Sequence, residues 1–498
     1  MRRSGRLADI LLQRSDELAA GFTQAGIGPG QRIGMLMRNR LEYAEAMLGA
    51  MKIGATVVLL NIRNTAHEMR HPVTDADLDL IIADSEFLPL LEGVGSYAPK
   101  ARVVTSEPVE GYPLLADLRG VAAEAPTYLI SGEDIALICY TSGTTGVPKG
   151  AMLSHGAIYS AGAAIAFSSG HGRHDRMLLP MLLSYTGGCV FFLRDGVVAG
   201  ASTFLLSRPT AETMLATIER EKITCVQSVG VMFDMMMNHA RFADTDMSHL
   251  RRAATGGSSI SLHQLQTWQD RGIPLIQGYG QTESAGSHIA LLNADEAVRK
   301  IGFAGRPMPN LEVRIVGEDG EDLAPNMAGE IWVRGAAIMS GYLNRPEESA
   351  AALEGGWLHT GDIGLLDEEG YLKIVDRTKD MLISGGLNVY PAEIEKALAG
   401  LPGLEEMCVI GVPDPRWGEV PMIISSTIEG LDLDRLARSC VELLADYKRP
   451  RWIVGHPEPL PRTYSDKITK PQLRKLYGEV PTAAIEIPFR KAMAQRAG

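Results

Sequence analysis

The run Tyr140-Thr141-Ser142-Gly143-Thr144-Thr145-Gly146-Val147-Pro148-Lys149-Gly150 sets hydroxyl side chains between glycines and ends beside a lysine. Glycines let backbone N–H groups approach an anion, hydroxyls add donors or metal contacts, and an ammonium offsets negative charge. Phosphate binding is the chemistry such a set performs. It is not a Walker A loop, because the Gly-to-Gly-Lys interval is wrong and Pro148 precedes the lysine. A flexible surface loop is the plain alternative, and it gives no reason for hydroxyls so dense between glycines. A second run is Gly278-Tyr279-Gly280-Gln281-Thr282-Glu283-Ser284. An aromatic between glycines can lie flat against a purine. Glu283 suits Mg²⁺, which takes one or two carboxylates together with phosphate oxygens. Read alone, this run also fits a tight turn with a solvated glutamate.

These residues need a scaffold, and the flanking pattern supplies one. Arg32 to Met37 reads as a strand, Leu41 to Ile53 as a helix ended by Gly54, and Ala55 to Leu60 as a second strand. Ile135 to Tyr140 is a buried strand leading into the hydroxyl-rich loop, and Ile223 to Val229 is similar. Such alternation implies a mostly parallel sheet covered by helices. From about Ile301 the period becomes two, with turn signals at Gly317-Glu318-Asp319-Gly320 and Asp367-Glu368-Glu369-Gly370. A small antiparallel, barrel-like sheet is expected there. Beyond Asp376 a compact α+β pattern begins, with a helix over Pro391 to Leu398, strands over Met407 to Val412 and Met422 to Ser426, and a helix over Leu433 to Ala445. The expected fold class is α/β. Residues 1–375 form a large domain of parallel βα layers, with the β subdomain over about 301–375, and residues 376–498 form a smaller α+β domain.

The chain of 498 residues is too long for one core, and its net charge of -12 argues against a general nucleic-acid binder. Cys139, Cys189, Cys225, Cys408 and Cys440 are scattered without metal-type spacing and read as reduced core thiols. No apolar segment follows the basic start Met1-Arg2-Arg3, so no signal peptide is expected. The apolar stretch Met177 to Leu193 is interrupted by Pro180, Gly187 and Gly188 and reads as core, not as an integral membrane segment. A cytoplasmic location and a homodimer are the working expectations. His171 and His174 lie in a Gly/Ser-rich loop without acidic or cysteine partners in the sequence and read as solvated.

Taken together, the two runs resemble the adenylate-forming superfamily of acyl-CoA synthetases, luciferases and peptide-synthetase adenylation domains. Further matches follow in that family's order: Gly256-Gly257-Ser258, Trp357-Leu358-His359-Thr360-Gly361-Asp362, Asp376-Arg377-Thr378-Lys379-Asp380, Ile383 to Pro391 with Glu393-Ile394-Glu395, and Pro461-Arg462-Thr463 with Lys467-Ile468. The resemblance covers nearly the whole chain, although the start is shorter than the family's.

The resemblance implies an AMP-forming acid–thiol ligase that uses ATP, Mg²⁺, CoA and a small-molecule carboxylic acid. Thr141, Ser142, Gly143, Thr144, Thr145 and Lys149 then hold the β- and γ-phosphates. Glu283 and Thr144 hold the metal, with Thr282 beside them. Gly257, Ser258, Gly278, Tyr279 and Gly280 border the AMP, Tyr279 stacking on adenine. Asp362 takes both ribose hydroxyls and Arg377 the ribose–phosphate region. Lys467 neutralises charge as carboxylate and α-phosphate meet. In the family the C-terminal domain is mobile and rotates at the position matching Asp376, bringing Gly385 and Gly386 to the pantetheine path. Trp417 falls in a segment near the CoA side, and Lys448 and Arg449 face either CoA phosphates or solvent. The acyl pocket draws on Tyr185, Gly187, Gly230 and Gly256, together with Gly280.

The sequence departs from the family at Asp466, where glycine usually precedes the catalytic lysine, at Tyr185, where many relatives carry histidine, and at Gly230, where proline is common. Small residues at Gly187 and Gly230 leave room for a medium or long fatty acid or an aryl acid. Met232, Met235, Met236 and Met237 follow on a helix and suit either a pliable pocket or, more simply, core. Two other readings remain open: loading of a carrier-protein pantetheine, and a non-catalytic nucleotide- or acyl-binding homologue.

Overall fold

Apolar runs of four or five residues, each followed by an amphipathic helix, become parallel strands buried on both faces. The computed structural model describes residues 2–94, 100–141, 147–257, 260, 262–377, 380–384, 387–404, 406–415, 417–462 and 468–489. The chain divides into two units: Met1–Arg314 with Trp332–His359 and Gly370–Leu372, and Ile315–Ile331 with Thr360–Glu369 and Lys373–Gly498.

The first unit holds two sheets. One contains β1 (Arg32–Leu36), β2 (Thr56–Leu59), β3 (Leu80–Ala83), β4 (Arg102–Thr105), β5 (Ile135–Thr141) and β6 (Lys149–Ser154). Its order is β6-β5-β2-β1-β3-β4, with the short strand Gly341–Tyr342 outside β6. The pairs among β1 to β5 are parallel, whereas β5 and β6 form an antiparallel hairpin in which Thr141 pairs with Lys149. The second sheet contains β7 (Arg176–Leu179), β8 (Ser202–Leu205), β9 (Cys225–Val229), β10 (Arg252–Gly256), β11 (Leu275–Tyr279), β12 (Ala290–Leu291) and β13 (Arg306–Pro307). Its order is β13-β12-β11-β10-β9-β7-β8, parallel from β8 through β11 and antiparallel beyond.

Local chemistry explains the helices between them. The helix Leu41–Lys52 buries Tyr43, Ala44, Met47 and Ala50, and Gly54 beyond its end sits at φ 71°, where a glycine has no Cβ penalty. Thr65 and Glu68 form a reciprocal capping box at the start of Ala66–Asp75. Ser154 caps His155–Ser169 by accepting the Ala157 N–H at 3.1 Å. Under the second sheet, Trp268 is fully buried and takes Phe233 and Phe242 edge-on at 5.2 and 5.1 Å. Each large side chain buried this way contributes about 1.5–3 kcal/mol. Met236 joins this core and Met235 is exposed, which supports packing as the main role of the methionines there. All five cysteines are buried and free. No described helix is long and apolar enough to cross a membrane.

The small sheet expected after Ile301 has the strand order Leu311–Val316, Gly329–Gly335, Leu358–Leu366, Leu372–Arg377. The second unit carries its own sheet, centred on the antiparallel pair Met407–Asp414 and Gly418–Ser425. Trp452–Gly455 lies parallel to the latter strand and Ile485–Glu486 is added at the edge. The helices Pro391–Leu398 and Leu433–Leu443 bury Ile394, Leu398, Leu436 and Cys440 against one face of it.

Candidate functional site

In open parallel sheets, ligands collect outside the carboxyl ends of the strands. In the first unit the candidate residues sit there. The last residue of β5 is Thr141, that of β10 is Gly256, and that of β11 is Tyr279, while Gly230 directly follows β9. Tyr185 opens the helix Thr186–Phe191 after the turn that leaves β7.

The hydroxyl-rich loop spans the β5–β6 hairpin. Ser142, Gly143, Thr144 and Thr145 lie outside the described residues, and its two ends are fixed by the Thr141–Lys149 pair. Lys149 Nζ lies 5.2 Å from the Tyr342 ring centre. The Tyr342 hydroxyl donates to Glu283 Oε1 at 2.8 Å. Burial first, and then the Glu283 charge, raise the Tyr342 pKa far above its ordinary value, so this hydroxyl stays a neutral donor. It orients the carboxylate without neutralising it. The Glu283 carbonyl also accepts the Met339 N–H at 2.8 Å. Tyr342 was not legible as a site residue, because it lies on the edge strand far along the chain in no recognisable motif.

The turn around Glu283 is tightly built. Ser284 Oγ accepts the Gln281 N–H at 3.1 Å and donates to the Gln281 carbonyl at 2.9 Å. Ala285 and Gly286 both have positive φ, 54° and 58°. Thr282 Oγ1 donates to Thr186 Oγ1 at 3.2 Å, tying this turn to the helix that follows Tyr185. Two glycines are required by close approach: a Cβ on Gly280 would stand 1.8 Å from the Ser287 carbonyl oxygen, and one on Gly278 2.3 Å from the His288 ring.

Tyr185 is held by its hydroxyl, which donates to Asn61 Oδ1 at 2.6 Å. Gly187 has room for a Cβ, which would stand in ordinary contact with Met181 Sδ at 3.8 Å. Gly230 is buried and its carbonyl accepts from Gln264 Nε2 at 3.0 Å. Gly256 stands against Gly278, and Gly257 has φ 84°. Ser258 lies outside the described residues.

One histidine expectation is overturned. His171 is not solvated: its side chain is 4% exposed and its Nδ1 is 3.4 Å from Asp195 Oδ1. The sequence missed this because Asp195 arrives from a distant turn of π-helix, Phe192–Val198. Burial alone would raise the Asp195 pKa, and the adjacent Arg194 and His171 hold it far below the usual carboxylate range. His174 is exposed, as expected.

In the second unit, Asp362 is 5% exposed and follows Gly361 at φ 67°. The Gly361 N–H donates to Glu330 Oε1 at 3.0 Å, and Thr360 Oγ1 accepts the Asp362 N–H at 3.1 Å. Asp376 Oδ2 accepts the Ala392 N–H at 2.9 Å, satisfying a first-turn donor of Pro391–Leu398. Trp417 N–H donates to Asp414 Oδ1 at 2.9 Å, and Arg451 lies over its ring. Lys448 pairs with Glu393 at 2.7 Å and Arg449 with Asp446 at 2.8 Å, so both have partners within the unit. The Arg377 side chain, Gly385, Gly386, Asp466 and Lys467 lie outside the described residues. Among the described residues no cluster of three or more metal-ligating side chains occurs. A magnesium held by Glu283 and phosphate oxygens needs none.

Residues 10–343 match the AMP-binding enzyme family and residues 393–467 its C-terminal domain. A feruloyl-CoA synthase of Amycolatopsis is 35% identical over 94% of this chain and 93% of its own. A long-chain-fatty-acid–CoA ligase of Mycobacterium tuberculosis is 34% identical over 95% of this chain and 91% of its own. The solved o-succinylbenzoate CoA synthetase of Bacillus subtilis, in complex with ATP and magnesium ion, is 30% identical with a TM-score of 0.82, covering 93% of each chain. The same enzyme in complex with its acyl-adenylate intermediate gives a TM-score of 0.81, covering 93% of this chain and 92% of its own. The chain belongs to the AMP-binding enzyme family, among the adenylate-forming acid–thiol ligases.

Proposed function

We propose that the protein joins a medium- or long-chain fatty acid or an aryl carboxylic acid to CoA through an acyl-adenylate. In the first step a carboxylate oxygen attacks the α-phosphorus of ATP, the α–β phosphoanhydride bond breaks, and pyrophosphate leaves. In the second the CoA thiolate attacks the acyl carbonyl carbon and AMP leaves. Both steps bring anions together, so positioning and charge neutralisation are what the protein must supply. Bound magnesium would spread the phosphate charge. The observation that carries this reading is the Lys149–Tyr342–Glu283 arrangement: a cation at the start of β6 and an oriented carboxylate meet on one tyrosine. The assigned roles are Thr141, Ser142, Gly143, Thr144, Thr145 and Lys149 toward phosphates, Glu283 and Thr144 toward the metal, Asp362 toward the ribose, and Lys467 toward the meeting anions. Tyr185, Gly187, Gly230 and Gly256 border the acid.

The relatives named above act on aryl and long-chain acids alike, which supports the ligase class and leaves the acid to experiment. The test is pyrophosphate release with ATP and Mg²⁺ across fatty and aromatic acids, each with and without CoA. Acid-dependent release with AMP, and acyl-CoA only when CoA is present, is expected. Release that never yields a thioester would move the acceptor to a carrier protein. ATP binding with no turnover of any acid would overturn the ligase reading in favour of a non-catalytic binder.

A further inference from the structure

The helix Ala66–Asp75 buries Met69 and Val73 in the core of the first sheet. That burial and the capping box at Thr65 anchor it. His71 and Asp75 lie one turn apart on the same side of this helix, and both meet the β5–β6 hairpin. His71 Nε2 stands 2.8 Å from the Pro148 carbonyl oxygen. A carbonyl only accepts, so Nε2 carries the proton of this bond. The carbonyl belongs to the peptide bond that leads into Lys149. The β5–β6 ladder ends at the Thr141–Lys149 pair, and His71 gives the Pro148 carbonyl a partner beyond it. Asp75 Oδ2 accepts the Tyr140 hydroxyl at 2.8 Å, and Tyr140 directly precedes Thr141. Burial first, and then the Asp75 charge, raise the Tyr140 pKa far above its ordinary value, so this hydroxyl stays a donor. The His71 and Tyr140 rings meet edge to face at 5.9 Å.

Asp75 also reaches a third strand. Asn344 Nδ2 donates to the Asp75 carbonyl at 2.9 Å and stands 3.3 Å from Oδ1, and Arg345 Nη1 is 3.9 Å from the same Oδ1. These two residues follow Tyr342 and Leu343. The Leu343 N–H donates to the Gly150 carbonyl at 2.8 Å, and Tyr342 pairs with Ala151. One helix end thus ties together the strand that enters the hydroxyl-rich run, the strand that leaves it, and the edge strand that carries Tyr342. A helix serving only to cover the sheet gives no reason for two polar groups one turn apart to grip the two flanks of a single loop.

We infer that His71 and Asp75 are positioning residues for ATP: they hold the two flanks of the hydroxyl-rich loop, and with them the backbone of Lys149, against the Tyr342 strand. This rests on the ligase reading above. Neither residue touches the nucleotide in this account; both act through the hairpin. Glycine widens the backbone conformations open to any run that contains it. Fixed flanks lower the ordering cost that phosphate binding must meet. Loss of the His71 bond frees the Pro148–Lys149 peptide to rotate, and small misplacements of a charged group are costly where anions must be brought together. The effect therefore falls on ATP and not on the acid, whose proposed border residues lie elsewhere in the unit.

The experiment measures kcat and the KM values for ATP and for the acid in pyrophosphate release, with Tm alongside, for the wild type, His71→Phe, His71→Gln and Tyr140→Phe. His71→Phe keeps a ring against Tyr140 and removes the donor. Its KM for ATP should rise about fivefold, the size expected for one neutral hydrogen bond. Its KM for the acid should stay within about twofold and its Tm within about 2 °C. Tyr140→Phe releases the other flank and should raise the KM for ATP in the same way. His71→Gln retains an N–H and should return part of the loss. An unchanged KM for ATP in His71→Phe, an equal rise in the KM for the acid, or a rise undiminished in His71→Gln overturns the inference. So does a lower Tm and kcat with both KM values unchanged, which is what a purely structural prop would give. If the wild type turns over no acid, the ligase reading fails separately, and equilibrium binding of ATP with Mg²⁺ decides. Weaker binding by His71→Phe that His71→Gln recovers supports the positioning role. Equal binding by all, or none by the wild type, overturns it.

Discussion

The Tyr342 hydroxyl donates to the Glu283 carboxylate at 2.8 Å, while the Tyr342 ring lies under the Lys149 ammonium at 5.2 Å. One side chain thus contacts both charged groups without cancelling either charge. Tyr342→Phe keeps the ring and removes the hydroxyl. A hydrogen bond to a charged group contributes about 1.5–3 kcal/mol, so pyrophosphate release should slow by roughly ten- to a hundredfold. The apparent Mg²⁺ requirement should rise with it. An unchanged magnesium titration would mean that Glu283 does not depend on this tyrosine.

Adjacent glycines in the helix Thr186–Phe191 should respond oppositely. A Cβ at Gly188 would stand 2.1 Å from the Leu182 carbonyl oxygen, whereas at Gly187 the nearest atom is Met181 Sδ at 3.8 Å. Gly188→Ala should destabilise by about 1–3 kcal/mol through overpacking, lowering Tm by several degrees. Gly187→Ala should leave Tm within about 2 °C and instead raise KM for bulky acids. Melting curves and a KM series separate the two, and equal losses of Tm would contradict the packing described here.

Thiol reagents should not reach the native protein. Burial pushes the Cys139, Cys225, Cys408 and Cys440 thiols up to about 12, and raises Cys189 as well. A colorimetric thiol titration is expected to detect less than one equivalent at neutral pH and all five in denaturant. Rapid labelling of the native chain would show that one of these strands opens readily.

Acid should weaken the first sheet through Glu107. Burial alone would raise its pKa, but hydrogen bonds from Ser106 and Ser85 and the Arg40 guanidinium outweigh it and hold the group at about 2 rather than 4.5. A depressed carboxyl contributes stability that is complete above the unfolded value and lost as pH falls through the folded one. The loss from this group should therefore fall between pH 4.5 and about 2. Since the side chain is 35% exposed, solvent screening makes the effect modest. Glu107→Gln should flatten the acid limb of Tm against pH in that window, and an unaltered limb would assign acid sensitivity elsewhere.

The local chain was sufficient for much of this protein. The βα rhythm, the hairpin signals, the helix Pro391–Leu398 and the glycine runs all follow from neighbours within a few residues, where periodicity and backbone sterics act. The order of the motifs was likewise enough to identify the family, because the glycine- and hydroxyl-rich runs that carry the resemblance are clustered in sequence. Tertiary structure decided what joins distant segments. Tyr342 meets Glu283, and Asn61 meets Tyr185, only because strands far apart in the chain become neighbours. His171, read from its polar loop as solvated, is buried, and the π-turn brings Asp195 against it. Charges can be buried only in partnership. The sequence by itself named the groups proposed to do the chemistry, and the packing of remote elements decided how the described ones among them are held and paired.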